Sequence, residues 1–382
     1  MLYLIAGNGG PNFGDELIVA HWLRFYRAAG YDGPITIDGR GAGPSERLLT
    51  GFGDVAFVSR IPRHGEGLDR GYADFARLGR GFARANEDGF AKVSMIHVCG
   101  GGYASGVWRN ATRLLAAASE LKRLLGVPLV GTGLGLGPFV DMNAADAAAF
   151  RSIVDDFDLL ECRDALSFDA MQTLVGARPE LIAGLDDAFL QPVVPQNRAS
   201  RWLHLSGWQR TALFGGAGSQ AIRDLFAAFD KVVFWTCSRV DAELFAELSA
   251  EFPEIQRYGT HRLLNQSIPV APQDAMLTCR FHPHLIAARV GMTGRYAARS
   301  AFYRAKHDLV LGLGSPFRPV EHGALGAFAE PDGRMTAADA DRVAAKRRVA
   351  AQLLARLPNR TCGVQAPLSG QPPGERAPLD RF

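Results

Sequence analysis

The sequence predicts an α/β protein of two domains, each a parallel sheet flanked by helices, that face each other across a cleft. Three observations predict this fold class. Strand-like apolar runs alternate with helix-like runs along nearly the whole chain, the pattern of parallel sheets with helices on both faces. The alternation lapses at 191–200, QPVVPQNRAS, which has the composition of a linker. At 382 residues the chain is also longer than one ordinary domain.

The first domain is predicted to begin with the strand LYLIA, a glycine-rich loop and a helix from Asp15. Further strands are expected at 34–38, 55–59, 94–99, 128–133 and 158–164, and helices at 110–126, 144–156 and from Ala165. A polar stretch rich in arginine and glycine, at 60–88, receives no element in this prediction.

The second domain repeats the alternation. Strands are expected at 202–207, 231–236, 275–279 and 295–298, and helices at 220–229 and from Asp241, His284 and Tyr303. We therefore expect a first Rossmann-like domain at 1–190, a second at 201–335, a crossing helix at 336–357 and a disordered tail at 358–382, rich in proline and glycine.

Composition narrows the classes of function. A net charge of +3, from 42 basic and 39 acidic side chains, gives no indication of a nucleic-acid partner. No basic leader or membrane-length apolar run is found, so a cytoplasmic protein is expected. The five cysteines form no C-x-x-C pair, and no metal site is predicted.

The first loop nearly matches a dinucleotide-binding fingerprint. Gly7 and Gly9 are followed by Asn12 where the third glycine should stand, and Asp38 ends the next strand, where an acid would bind a ribose. A nicotinamide-dependent enzyme is therefore one alternative, and a glycine-rich tight turn without a ligand is another.

Two more glycine clusters follow buried strands, Gly100–Gly102 and the alternating Gly133, Gly135 and Gly137. Ligands of open α/β sheets bind at such strand ends. Arg163 ends the strand LLEC, where its guanidinium could grip a carboxylate or phosphate, or simply pair with Asp164.

The segment CRFHPHL offers Arg280, His282 and His284 between a strand and a helix. An arginine and two histidines there would form a cationic pocket able to transfer a proton near neutral pH. The alternatives are an H-x-H metal pair, for which other ligands are absent nearby, and a histidine that caps the helix, which suits His284.

Six short segments occur in a fixed order along the chain: GPNFGDE, CGGGYASG, GTGLGLGPF, RDALS, GLDDAF and RFH. From residue 7 to about 310, this ordered set resembles the polysaccharide pyruvyltransferase family, which shows G-N-x-G-D-E, G-G-G, G-x-G-x-G-P, R-D-x-x-S, D-x-A-F and R-x-H. The opening loop has extra residues, and Phe281 replaces the family's leucine.

The resemblance implies a GT-B-like bilobal enzyme that transfers pyruvate from phosphoenolpyruvate to two hydroxyls of one sugar, as a cyclic ketal, without a further cofactor. It matches Arg163 and His282 to donor binding and catalysis, with His282 rather than His284 as the proton-transfer residue. Expected substrate contacts are Arg280, Asn12, Gly14, Asp15, Gly100, Gly101, Gly102, Gly133, Gly135 and His284.

The same resemblance places the acceptor on the first domain and the donor on the second. The acceptor would be a glycan or lipid-linked oligosaccharide of bacterial exopolysaccharide or cell-surface glycan synthesis, with peripheral contact to the inner membrane. Two alternatives remain open: a glycosyltransferase using a nucleotide sugar, and a sugar-binding protein without catalysis on the same scaffold.

Overall fold

The structure, a computed structural model, describes residues 1–10, 12–63, 70–102, 108–137, 139, 142–321, 325, 328, 330 and 333–357. The tail predicted at 358–382 lies outside these residues.

The first half of the chain forms a parallel sheet of seven strands in the order β3-β2-β1-β4-β5-β6-β7. The strands are β1 (Leu2–Ile5), β2 (Ile35–Asp38), β3 (Val55–Val58), β4 (Met95–Cys99), β5 (Leu129–Leu134), β6 (Leu159–Cys162) and β7 (Leu181–Ala183). The helices are α1 (Phe13–Ala28), α2 (Ala42–Leu48), α3 (Tyr72–Ala85), α4 (Thr112–Leu125), α5 (Ala144–Val154) and α6 (Ala165–Val175), with 3-10 turns at Glu87–Phe90, Arg109–Ala111 and Asp187–Leu190.

The second half forms a parallel sheet of six strands in the order β10-β9-β8-β11-β12-β13. The strands are β8 (Trp202–Ser206), β9 (Lys231–Thr236), β10 (Gln256–Gly259), β11 (Ala275–Thr278), β12 (Thr293–Tyr296) and β13 (Arg318–Pro319). The helices are α7 (Arg210–Phe214), α8 (Ser219–Ala227), α9 (Arg239–Glu251), α10 (Thr260–Asn265), α11 (Phe281–Arg289), α12 (Ala301–Gly312), α13 (Arg334–Ala337) and α14 (Asp339–Leu354). The predicted fold class, two parallel-sheet α/β domains, is confirmed.

Helix α3 lies inside the stretch that the sequence left without an element. Its buried residues Tyr72, Phe75, Ala76, Gly79 and Ala83 recur at helical spacing. The glycines of this stretch indicated turns rather than a helix. Gly79 instead lies within the helix, where it allows close packing against α4. A β-carbon there would lie 2.2 Å from the Arg113 carbonyl oxygen of α4. A strand-like segment, 256–259, and the short β7 were also missed.

The two halves share a continuous apolar core. One cluster of buried side chains includes Trp22 of α1, Trp235 of β9, Leu285 of α11 and Leu353 of α14. The Phe13 and Trp235 rings meet edge to face with centroids 6.0 Å apart. Burial of such aromatic surface stabilises the contact between the domains and holds their facing edges in one arrangement.

Helix α14 follows the second sheet in sequence but packs against the 3-10 turn Asp187–Leu190 beside the first sheet. Arg289, at the end of α11, joins the same region. Its guanidinium donates to Asp339 at 2.6 Å, to the Ala188 carbonyl at 2.7 Å and to the Gln191 carbonyl at 2.9 Å. Over the described ranges of the chain, no helix is long and apolar enough to cross a membrane.

Candidate active site

The carboxyl ends of the two parallel sheets meet at the loop that opens the chain. Asn12 caps α1 through its side chain, which accepts from the Gly14 N–H at 3.2 Å. Its backbone pairs with Ser238, which follows β9, and the Phe13 N–H donates to the Cys237 carbonyl at 2.8 Å. The first loop therefore contacts the second domain directly, as a turn at the carboxyl edge of an α/β sheet allows.

His282 lies against this loop. A β-carbon at Gly14 would be 1.8 Å from the Nδ1 atom of His282, so only glycine leaves room for the ring. On its other side, the Nε2 atom lies 3.4 Å from Oδ1 of Asp186. That contact lacks hydrogen-bond geometry, and Nε2 has no hydrogen-bond partner among the described residues. Packing against Gly14 and the charge of Asp186 therefore orient the ring, and Nε2 keeps its hydrogen-bonding capacity.

Arg163 faces the same carboxylate from the first domain. Its Nη1 atom lies 3.9 Å from Oδ2 of Asp186, and its Nε donates to Asp164 at 3.1 Å. The guanidinium covers Gly135, where a β-carbon would lie 2.7 Å from it, and lies 5.5 Å from the Phe281 ring centroid. The pairing with Asp164 that the sequence left as an alternative is present, but it engages only one edge of the fork.

Asp186 joins these two groups, and it is not among the site residues predicted from the sequence. It is buried, and its Oδ2 atom has no hydrogen-bond partner in the described part of the chain. Burial alone would raise the pKa of Asp186, but the neighbouring His282 and Arg163 lower it well below its usual range. The segment GLDDAF contained the signal, although two adjacent acids gave no indication of which one faces the site.

Lys306 of α12 was also missed. It is half-buried, and burial lowers the pKa of its ammonium to about 8. Arg163 lies close enough to lower it further, whereas Asp15 and Asp186 oppose that shift. Its position in the second turn of a helix after β12 carries no motif, so only the fold could reveal it. Lys306 and Arg163 thus supply cationic charge from opposite domains.

Arg280 is held at the rim of this cluster. Its guanidinium pairs with Asp241 and donates to the Ser238 hydroxyl at 2.7 Å, and its carbon lies 5.0 Å from the Trp208 ring centroid. Burial lowers the pKa of Arg280, but the ion pair with Asp241 raises it by more, so the pKa lies above its usual value. Its Nε atom is buried and has no partner in the part of the chain that is described.

The glycine clusters divide into rim and interior. Gly102 forms a β-bridge with Gly135. A β-carbon added to Gly102 would lie 3.8 Å from the ring of Phe302 in the second domain. Gly101 is half-buried and its carbonyl accepts from the Gly135 N–H at 2.8 Å. Gly100 is buried with a φ of +55° and packs on Ile18, which places it behind the rim.

The structure places two expected substrate contacts, His284 and Gly133, in the interior. His284 is buried, and its ring nitrogens lie 2.9 Å from Nδ1 of His307 and 2.7 Å from the Ser315 hydroxyl. The helix begins at Phe281 rather than His284, and two residues turn its face by about 200°, so His282 and His284 point opposite ways. Gly133 is interior too: its N–H donates to Glu161, and its open side faces Asp187.

The dinucleotide alternative finds no support at Asp38. Its carboxylate is buried and accepts from the Tyr3 hydroxyl at 2.5 Å, from the Ile61 N–H at 3.0 Å and from Arg63. No free oxygen faces a ribose. Asp15, by contrast, stays half-buried in the first turn of α1, where Asn12 donates to it at 2.9 Å.

Known proteins resemble this chain in sequence or in fold. The sequence model of the polysaccharide pyruvyl transferase family matches residues 12–234. No curated protein matches the sequence. Solved structures with the same fold include the UDP-GlcNAc 2-epimerase of Neisseria meningitidis bound to UDP-GlcNAc, with 11% identity, a TM-score of 0.54 and 93% of this chain aligned to 100% of that chain.

A second solved structure, UDP-N-acetylglucosamine 2-epimerase from Rickettsia bellii, has 9% identity and a TM-score of 0.50, with 93% of this chain aligned to 96% of that chain. At such low identity these likenesses show the fold alone, and that fold is GT-B-like.

Proposed function

The chain belongs to the polysaccharide pyruvyl transferase family, and from that premise we propose that it transfers pyruvate from phosphoenolpyruvate to a sugar. The product is a cyclic ketal on two hydroxyls of one sugar residue, with inorganic phosphate released. The observation that carries this proposal is the cluster of Arg163, His282 and Lys306 around the buried Asp186.

A site for this donor requires several positive charges close together, because phosphoenolpyruvate carries both a carboxylate and a phosphate. Arg163 keeps one edge of its guanidinium fork clear of Asp164 and can bind an anion in bidentate fashion. Lys306 adds a point charge from the second domain, and Arg280 is a further anion contact. Arginine and lysine can neutralise the departing phosphate.

The chemistry requires proton transfers at two places. Protonation of the C3 methylene makes C2 an oxocarbenium-like electrophile, and one sugar hydroxyl loses its proton as its oxygen bonds to C2. The C2–O bond to phosphate then breaks, and the second hydroxyl closes the ring. The two sugar hydroxyls lose one proton each. One proton is balanced by the new C–H bond at C3, and the other leaves with hydrogen phosphate.

We assign these transfers to His282, whose Nε2 lies beside Asp186 without a hydrogen-bond partner among the described residues. Asp186 orients the ring and compensates its charge when it is protonated. The rim around Gly101, Gly102 and Asn12 is open to the acceptor. A polymeric or lipid-linked glycan of exopolysaccharide synthesis fits this proposal, the latter with peripheral contact at the cytoplasmic face of the inner membrane.

Phosphate release tests the proposal. The protein is incubated with phosphoenolpyruvate and a panel of polymeric and lipid-linked glycans, and phosphate is followed together with the product mass. Acceptor-dependent release with a product heavier by one pyruvyl ketal supports the proposal. Release of nucleotide from a sugar nucleotide instead, with no turnover of phosphoenolpyruvate, would overturn it in favour of glycosyl transfer.

A further inference from the structure

A buried charge cluster lies directly beneath the candidate site. Lys346 of α14 has a fully buried side chain, and its ammonium lies 2.5 Å from Oε2 of Glu161 and 2.5 Å from Oδ1 of Asp187. The same ammonium donates to the Leu185 carbonyl at 2.8 Å. The ammonium therefore donates to Glu161 and to the Leu185 carbonyl, and it forms an ion pair with Asp187 without hydrogen-bond geometry.

Each partner of Lys346 is adjacent to a group in the site. Glu161 precedes Arg163 by two residues on β6 and its carboxylate accepts from the Gly133 and Leu185 N–H groups at 3.1 and 3.2 Å. Asp187 follows Asp186 directly, and its second oxygen accepts from the Thr132 hydroxyl at 3.1 Å. The lysine thus joins the ends of β5 and β6 to the turn that presents Asp186.

A second cation holds the other end of that turn. Arg289, on the helix that begins beside His282, donates to the Ala188 and Gln191 carbonyls. The 3-10 turn Asp187–Leu190 is therefore fixed at its start by Lys346 and beyond it by Arg289. Asp186 lies immediately before this turn, so the contacts that hold the turn also position Asp186.

Removing the lysine would leave two carboxylates in a dry interior without their cation. Burial raises the pKa of Glu161, and the charge of Lys346 opposes that shift. Burial alone would lower the pKa of Lys346, but Asp187 and Glu161 raise it above its usual value. Uncompensated buried charges are strongly unfavourable. The chain would relieve them by taking up a proton or by separating Asp187 from Glu161, and either change would move Asp186.

We propose that Lys346 is a positioning residue for pyruvyl transfer, which holds Asp186 and Arg163 in register with His282 although it touches no substrate. The inference rests on the proposed function. A displacement of about 1 Å can cost on the order of 100-fold in rate, so the expected effect falls on kcat rather than on donor affinity alone.

The test compares four forms of the full chain: wild type, Lys346→Met, the charge-balanced Lys346→Met/Glu161→Gln, and Arg348→Met. The double variant restores the net charge of the wild-type cluster without restoring its ammonium. Arg348 is exposed on the same helix and serves as the matched control. For each, kcat and KM for phosphoenolpyruvate are measured well below the melting temperature.

We expect Lys346→Met to lose about 10- to 100-fold in kcat, and the double variant to regain melting temperature but not kcat. The control should match wild type. If the folded single variant keeps its kcat, or if the double variant regains it, Lys346 has only a structural role and the inference is wrong. If the single variant does not fold, the kcat of the double variant alone tests the inference: a low value supports it and a wild-type value overturns it.

A ligand-free measurement separates this inference from the proposed function. The ring signals of His282 in an NMR spectrum, assigned with His282→Gln, should shift in Lys346→Met if its contact with Asp186 is disturbed. Unchanged signals would overturn the inference. A wild-type protein that turns over no phosphoenolpyruvate would instead refute the proposed function and leave the NMR result standing.

Discussion

Arg163 and His282 come from different domains and approach opposite oxygens of Asp186. Both could be predicted from sequence because each lies in a short motif just after a strand: Arg163 follows β6 directly, and His282 is four residues after β11. Asp186 and Lys306 could not, because a 3-10 turn and the rotation of α12 decide which way they face. The order of elements predicts which loops come together at the site, but it does not predict which side of α12 or of the 3-10 turn faces the site.

Replacing Arg163 tests donor binding. We expect Arg163→Ala to raise KM for phosphoenolpyruvate by about 10- to 100-fold, since hydrogen bonds to charged groups contribute about 1.5–3 kcal/mol. Arg163→Lys should recover little, because lysine lacks the bidentate fork. Titration of donor binding measures both, with Arg178→Ala, on the far edge of the first sheet, as control. Wild-type affinity in either Arg163 variant would refute the assignment.

The two histidines of RFHPH should behave differently. His282→Ala is expected to lower turnover by about 10²- to 10⁴-fold while the fold survives, and His282→Gln should not rescue it. His284→Ala removes the ring that packs on His307 and bonds to the Ser315 hydroxyl, leaves a cavity in the interior and should cost about 2–4 kcal/mol of stability. Turnover and melting curves are measured together. An active His282→Ala alongside a folded but inactive His284→Ala would mean that the wrong histidine was named.

Among the elements, α12 brings a titrating group to the site. Its first turn is fixed by the Ser300 cap, and Phe302 lies against Gly102, so Lys306 is carried towards the facing domain. Helix α12 was expected from Tyr303, two residues late, whereas α3 was missed entirely because glycines interrupt its apolar pattern. Long periodic segments were predictable, and those that use glycine for packing were not.

Lys306 makes donor capture depend on pH. Its pKa, lowered to about 8 by burial, leaves the ammonium charged below that pH and neutral above it. Attraction of the anionic donor is therefore lost as pH rises, and kcat/KM for phosphoenolpyruvate should fall about tenfold per unit above pH 8. Lys306→Met should have a lower kcat/KM at pH 7 and should lack the loss that Lys306 causes above pH 8. The control is Lys92→Met, at an exposed lysine before β4; the full wild-type loss above pH 8 in Lys306→Met would contradict the assignment.

At the scale of the whole molecule, the site depends on how the two sheets are held. The shared core and the Arg289 contacts fix the domain arrangement that places Gly14 against His282. The alternation of elements predicts two parallel-sheet α/β domains, and this fold class is confirmed. The contacts that join the domains could not be predicted, because buried arginines and lysines give no periodic signal.

Arg289→Met tests this arrangement. It leaves Asp339 and two carbonyls without their donor, and breaking a buried ion pair costs about 3–5 kcal/mol. We expect a lower melting temperature and a larger radius of gyration by small-angle scattering, as the domains separate. Arg239→Met, exposed on α9, should change neither. An unchanged radius with an unchanged melting curve would show that the apolar core alone holds the domains together.

The return of α14 to the first sheet also sets an order of events on the ribosome. All seven strands of that sheet are synthesised before the second domain begins, yet Glu161 and Asp187 receive their cation from a helix translated after it. Until that helix emerges, a nascent first domain lacks the ammonium that pairs with these two carboxylates. A fragment released during that interval has every strand of its sheet and still cannot complete the donor pocket.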